Sequence, residues 1–109
     1  MSRYKLVFFV PASARVAVQS AIFATGAGTY PGGKYSECAW HSHGTGQFRP
    51  GNGAKPKIGE VGTLEEVEEC RVEILCVGGE EGVRKAVGAL KGTHPYEVPA
   101  YEVYKLEDF

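Results

Sequence analysis

Three groups of residues in this 109-residue chain carry side chains able to do chemistry. His94-Pro95-Tyr96-Glu97 sets an imidazole, a phenol and a carboxylate side by side, a combination that can bind a ligand or metal or exchange a proton. The same residues also suit the start of an edge strand, where Pro95 and Pro99 fix the backbone, Tyr96 packs its ring and Glu97 accepts backbone hydrogen bonds. A second group is Cys38, His41 and His43, donors suited to a divalent metal ion. On a strand His41 and His43 share a face with Glu37 while Cys38 points the other way, so all four converge only across a bulge, for which Gly44 is placed. The third group lies in the stretch 44–59, where Thr45, Arg49, Lys55 and Lys57 surround glycines whose amides are sterically free to cradle an anion or phosphate. That stretch does not lead from a strand into a helix, so it is no dinucleotide or P-loop motif. No nucleophile stands beside a base and no carboxylate pair marks a cleft, so catalytic residues are not expected.

The elements that must position these groups read as follows. Leu6 to Val10 is an apolar, β-branched and aromatic run ended by Pro11, as expected of a strand buried on both faces. Ser13 is placed as a helix N-cap, followed by Ala14, Val18, Ala21, Ile22 and Thr25 at helical spacing up to Gly26. After a glycine-rich turn over 26–33, residues 35–43 alternate as a strand, and 44–59 reads as a long loop or loosely paired excursion. Strand character resumes over 67–77, with Cys70, Val72, Ile74 and Cys76 on one face. Cys70 and Cys76 fit there as small apolar core residues. Gly78-Gly79 turns the chain, Val83, Ala86, Val87 and Leu90 mark a second helix closed by Gly92, and a last strand spans 99–106. The order strand, helix, strand, strand, helix, strand predicts an α+β, ferredoxin-like βαββαβ sandwich, with both helices on one face of an antiparallel four-stranded sheet.

Length and composition frame that reading. The chain has room for one domain over 1–109, and its 43% hydrophobic and 23% charged residues are those of an ordinary folded protein. With 12 Lys plus Arg against 13 Asp plus Glu, the net charge of -1 gives no pull toward nucleic acid or acidic membranes. The three cysteines lack disulfide or zinc-knuckle spacing and fit a reducing, cytoplasmic setting, and no apolar run approaches the ~20 residues of a membrane span. On the sheet face without helices, Val7, Phe9, Leu75 and Val77 would form an apolar patch. A homo-oligomer packed through that open face is therefore expected.

Several stretches in order resemble one family: Val10-Pro11, Gly26-Ala27-Gly28, Tyr35-Ser36-Glu37-Cys38, Gly44-Thr45-Gly46-Gln47-Phe48-Arg49-Pro50, Pro56-Lys57-Ile58-Gly59-Glu60 and His94-Pro95-Tyr96-Glu97-Val98-Pro99-Ala100-Tyr101. Together they resemble the YqfO-type domain inserted in many Nif-three-like proteins. The parent proteins carry a two-metal centre in flanking domains and are often labelled GTP cyclohydrolase homologues. Those flanks are not in this sequence, so the resemblance does not bring the metal centre or a hydrolase activity with it. The insert in turn is similar to CutA and P-II signalling proteins, which implies a CutA-like fold and a trimer in preference to a dimer. The function so implied is a non-catalytic oligomeric binding or regulatory module, with a small ligand, anion or metal ion between subunits. The alternative is an interaction domain acting on a separate protein partner.

Overall fold

The computed structural model describes residues 1–109. The apolar run of the N-terminal segment lies inside the strand Arg3–Pro11 (β1), which pairs antiparallel on one side with Glu65–Cys76 (β3) and on the other with Tyr101–Leu106 (β4). Trp40–Phe48 (β2) pairs antiparallel with the outer side of β3, giving the sheet order β2-β3-β1-β4. Two helices, Arg15–Phe23 (α1) and Gly79–Thr93 (α2), complete the βαββαβ order. Both stand on one face, because the even-numbered residues of β1 and β3 meet their apolar stripes. Leu6, Phe8, Val10, Cys70, Val72 and Ile74 pack with Val18 and Ile22 of α1 and Val83, Ala86 and Leu90 of α2 in one buried cluster. The cysteines Cys70 and Cys76 sit in that cluster as small apolar side chains.

Local chemistry moves several boundaries from those expected. Ser13 caps no helix: Pro11 leads into a short 3-10 turn over Ala12–Ala14, and no side chain caps α1, whose N-cap position is Ala14. The second helix passes Gly92 and stops at Thr93, where His94 adopts an extended backbone with φ -67 and ψ 135, the conformation a following proline enforces. The second strand begins later and runs further than expected. Of the two forms expected for 44–59, residues 44–48 take the paired one and are the outer half of β2, with Gly44 to Phe48 opposite Glu69 to Glu65. Since β1 ends opposite Glu69, this part of the β2–β3 hairpin projects beyond β1 as a two-stranded arm. The molecule is accordingly elongated, with extents of 48 × 24 × 23 Å.

The open face also differs from the apolar patch expected. Val7 and Leu75 are only 1% and 8% exposed. In register, Val7 lies between Glu73 of β3 and Glu102 of β4. These carboxylates are held by Arg71 (3.3 Å) and by the Tyr104 hydroxyl (2.8 Å), and Arg71 also lies over the Phe9 ring. Long polar side chains thus roof the apolar ones within the chain itself. Between α1 and β2, Gly28 donates its N–H to the Leu75 carbonyl and accepts from Cys38 N–H. Tyr30 donates to the Tyr35 carbonyl, so the glycine turn is a hairpin-like excursion pinned at its neck.

Candidate functional site

The arm ends in the loop 49–64, which folds back rather than waving free. Arg49 donates from Nη1 to the Gly62 carbonyl (2.7 Å), and Gly62 N–H donates to the carbonyl of Pro50 (2.7 Å). The folded loop lies beside the segment that joins α2 to β4. There His94 is 8% exposed, and both ring nitrogens are in use. Nδ1 accepts the Tyr96 N–H (3.0 Å), so Nε2 carries the proton that it gives to the Phe9 carbonyl (2.6 Å). This arrangement needs a neutral ring. Burial holds His94 below the usual histidine range, with the Phe9 carbonyl and the Glu69 charge opposing more weakly.

Tyr96 extends the network to the arm. Its hydroxyl donates to Glu69 Oε2 (2.6 Å), and its ring meets those of His94 and Phe48 at 5.0 and 5.6 Å between centroids. Burial, then the hydrogen bond to Glu69, then the Glu69 and Glu65 charges push the phenol well above its ordinary value, so it stays a donor. Gly46 makes room for this bond: a Cβ there would fall 2.0 Å from Glu69 Oε1. Glu97 Oε1 accepts the Lys55 N–H (3.1 Å) across 42 residues of sequence.

Between the loop and this segment opens a cleft of about 420 Å³. Arg49, Lys57, Glu69, Tyr96 and Glu97 supply its polar groups, and Phe48, Pro50, Pro56, Ile58 and Val98 line its apolar walls. The structure therefore brings Arg49, Lys57, Tyr96 and Glu97, drawn from two separate sequence groups, to one place. Lys55 reaches the same region through its backbone, and His94 sits beneath it as a support. Thr45 lies on the exposed arm and does not line the cleft. Glu69 and Phe48 were invisible as site residues, since only the strand register carries them there.

The other histidine pair is arranged differently. His41 and His43 share the helix-side face of β2, opposite Val72 and Cys70, with ring centroids 5.7 Å apart. Partial desolvation, then Arg15 and His43, hold His41 below its ordinary value. Cys38 does not join them. It precedes β2, where Glu37 takes the left-handed conformation with φ 53, and its thiol turns to the Ser36 carbonyl (3.6 Å). The sulfur that meets His43 is instead that of Cys70, 3.5 Å from Nδ1, because those two residues are register partners. No three His, Cys, Asp or Glu side chains gather as a ligand group, and no helix is long and apolar enough to cross a membrane.

No family model matches the chain. Its sequence is 45% identical over 105 residues to the GTP cyclohydrolase 1 type 2 homolog of Halalkalibacterium halodurans, a match covering 96% of this chain and 27% of that protein. The protein of the same name from Mycobacterium leprae is 44% identical over 94% of this chain and 26% of its own length. Among solved structures, a Bacillus cereus protein related to NIF3 superposes with a TM-score of 0.79 at 38% identity, over 98% of this chain and 26% of that one. CutA1 of Ehrlichia chaffeensis (TM-score 0.66, 14% identity, 98% of this chain and 83% of that one) shares the fold. So does a B. subtilis GlnK solved with ATP (TM-score 0.60, 11% identity, 97% and 84%). The chain thus spans about a quarter of the curated relatives it matches; over that span it is similar to GTP cyclohydrolase 1 type 2 homologs and to a NIF3-related protein, and it has the ferredoxin-like fold that CutA1 shares.

Proposed function

We propose that the chain is a non-catalytic, oligomeric binding module whose cleft takes a small organic anion with an apolar body. The meeting of Arg49, Lys57, Tyr96 and Glu97 on one apolar-walled cleft carries this reading. The two carboxylates are already engaged, Glu69 by the Tyr96 hydroxyl and Glu97 by the Lys55 amide. Lys57 takes part in none of the ion pairs, and Arg49 uses one nitrogen on Gly62. The cationic groups are thus the ones left to meet a ligand, and the walls favour its apolar part. A binding role suits the neighbouring groups better than a catalytic one. His94 has no free nitrogen, the Tyr96 phenol resists ionisation, and Cys70, the one thiol touching an imidazole, is fully buried.

Titration of the isotopically labelled chain with benzoate and with inorganic pyrophosphate tests the reading. Benzoate should move the amide signals around Lys57, Tyr96 and Val98 saturably, and Lys57→Glu should abolish the response. Signals that stay still with both anions would overturn it. Self-association belongs to the same proposal, supported by the exposed edge of β4 with Val103 and Tyr104 at 39% and 46% exposure. Native mass spectrometry should show multiples of the 11.7 kDa chain, trimer foremost. A lone 11.7 kDa species at micromolar concentration would count against it.

A second reading, a domain that docks on another protein, has its own observation. Tyr30, Tyr35 and Trp40, at 49%, 69% and 57% exposure, stand around the neck of the excursion, and exposed Tyr and Trp are the side chains that anchor interfaces. Replacing all three with Ser would abolish capture of such a partner while leaving benzoate binding intact.

A further inference from the structure

His94 joins two parts of the molecule that are held by different means. Its backbone is fixed at the end of α2, where its N–H donates to the Leu90 carbonyl (2.9 Å) and Pro95 enforces the extended conformation. Nε2 donates to the Phe9 carbonyl of β1, an inner strand of the sheet (2.6 Å). Nδ1 instead accepts the Tyr96 N–H (3.0 Å), and the Tyr96 hydroxyl carries the chain of bonds on to Glu69 of the arm (2.6 Å). His94 does not line the cleft, whereas Tyr96, Glu97 and Glu69 do. A proton added to the ring goes to Nδ1, since Nε2 already bears one. There it stands against the Tyr96 N–H, two donors with no acceptor between them. Because the ring is fixed to α2 and β1, the displacement falls on Tyr96.

We propose that His94 is a proton-operated catch for the cleft: the neutral ring holds Tyr96 on Glu69 and keeps the cleft assembled, and the protonated ring releases Tyr96 and lets the cleft open. The inference rests on the reading of the cleft as an anion site, to which it adds a means of release. Few charged or titratable groups surround the ring. From β3, Glu69 and Glu65 act on Tyr96, and Arg71 lies over the Phe9 ring of β1 (5.7 Å). From α2, Lys91 turns its ammonium to the Tyr101 ring of β4 (5.4 Å). Glu97 is bound to the Lys55 amide, and Arg49 and Lys57 line the cleft from the loop. Burial holds His94 below the ordinary histidine range against the Phe9 carbonyl and the Glu69 charge, so the catch is closed at neutral pH. Opening exposes the ring, which then takes its proton nearer the unperturbed value of about 6.5. The open form thus binds more protons in the window below that value. Anion affinity should fall as pH drops through it, by at most about tenfold per pH unit for one proton.

The test is titration of the isotopically labelled full chain with benzenesulfonate, which stays anionic throughout, between about pH 5 and 8. The ring nitrogens of the three histidines are followed by NMR in the same samples. Affinity should be constant in the upper part of the range and weaken in acid with the His94 midpoint. By linkage, saturating benzenesulfonate should lower the His94 midpoint, the reverse of what a bound negative charge does directly, and leave those of His41 and His43 in place. His94→Gln should bind without this pH dependence, and His41→Gln and His43→Gln should keep it. Affinity indifferent to pH, or stronger in acid as added positive charge alone would make it, overturns the catch and leaves the cleft reading standing. Absence of binding at every pH overturns the cleft reading instead, and the free chain then decides on the catch: the amide signals of Tyr96 and of 49–64 should shift with the His94 midpoint, and signals that do not follow it reject the catch. Should His94→Gln fail to fold, the unmodified chain decides, since a His94 midpoint that benzenesulfonate leaves unmoved rejects the catch.

Discussion

The two halves of the β2–β3 hairpin are built from different forces. Its inner half, from Cys70 to Cys76, belongs to the sandwich, where Leu6, Phe8, Val10, Val18 and Ile22 are wholly buried and no member of the core cluster comes from β2. Its outer half, beyond Glu69, has no third strand and no helix over it. The outer half is tied down by discrete polar contacts: Tyr96 on Glu69, the Lys55 amide on Glu97, and Arg49 on Gly62. Burial is non-directional and cooperative, so the sandwich should open as a unit. Hydrogen bonds at a surface are individually modest, so the arm and its cleft should open at lower cost. The cleft therefore lies at the boundary between a rigid body and a latched one.

The largest effect should come from the sandwich. Phe8→Ala is expected to cost about 3–5 kcal/mol in denaturant unfolding, with amide exchange rising together in β1, β3 and both helices. A smaller loss confined to one element would break the contrast between the two halves. Tyr96→Phe should cost about 1–2 kcal/mol, since it leaves the Glu69 carboxylate without its donor, and faster exchange should be confined to 44–69 and 94–100. Gly46→Ala should act through the same bond by displacing the Glu69 carboxylate. Combined with Tyr96→Phe it should therefore add little, and strict additivity would show that the two residues do not share a latch. Next comes pH. The unfolded His94 takes a proton near 6.5, whereas the folded residue does so lower. The unfolded state thus binds more protons between those two values, and stability should decline as pH falls from 6.5 through that window. Tm against pH should show the decline, and His94→Gln should flatten it. The smallest change should be Arg49→Ala, about 0.5–1 kcal/mol, seen as faster exchange within 49–64 only.

The sandwich was legible in the sequence because its forces are local and periodic. Alternation in 70–76, the stripes of Val18 with Ile22 and of Val83, Ala86 and Leu90, and the order of elements suffice to place both helices on one face. The arm was not legible, because its cues are non-local. Gly44 and Gly46 read as part of a long loop or loosely paired excursion, yet Gly46 is needed small because Glu69 crosses over it. Tyr96 meets Glu69 across 27 residues and Glu97 meets Lys55 across 42. No window of sequence contains either pair. Single residues of the cleft could be named from their chemistry, but their meeting depends on the register that aligns Gly44 with Glu69. The open face misled for a related reason. Apolar alternation marks which side chains face it, while Arg71 and Tyr104, which order the charged cover of Val7, act from neighbouring strands.

The pinned neck of the excursion after α1 makes the segment between Tyr30 and Tyr35 modular. Its base is closed by backbone bonds from Gly28 to Leu75, from Cys38 to Gly28 and from Tyr30 to Tyr35, so strain generated inside 31–34 stops at the closure and does not reach the sheet. Lengthening a loop whose ends are already held together adds little entropy cost. This position is thus suited to carry a foreign epitope or peptide, displayed at the opposite end of β2 from the cleft.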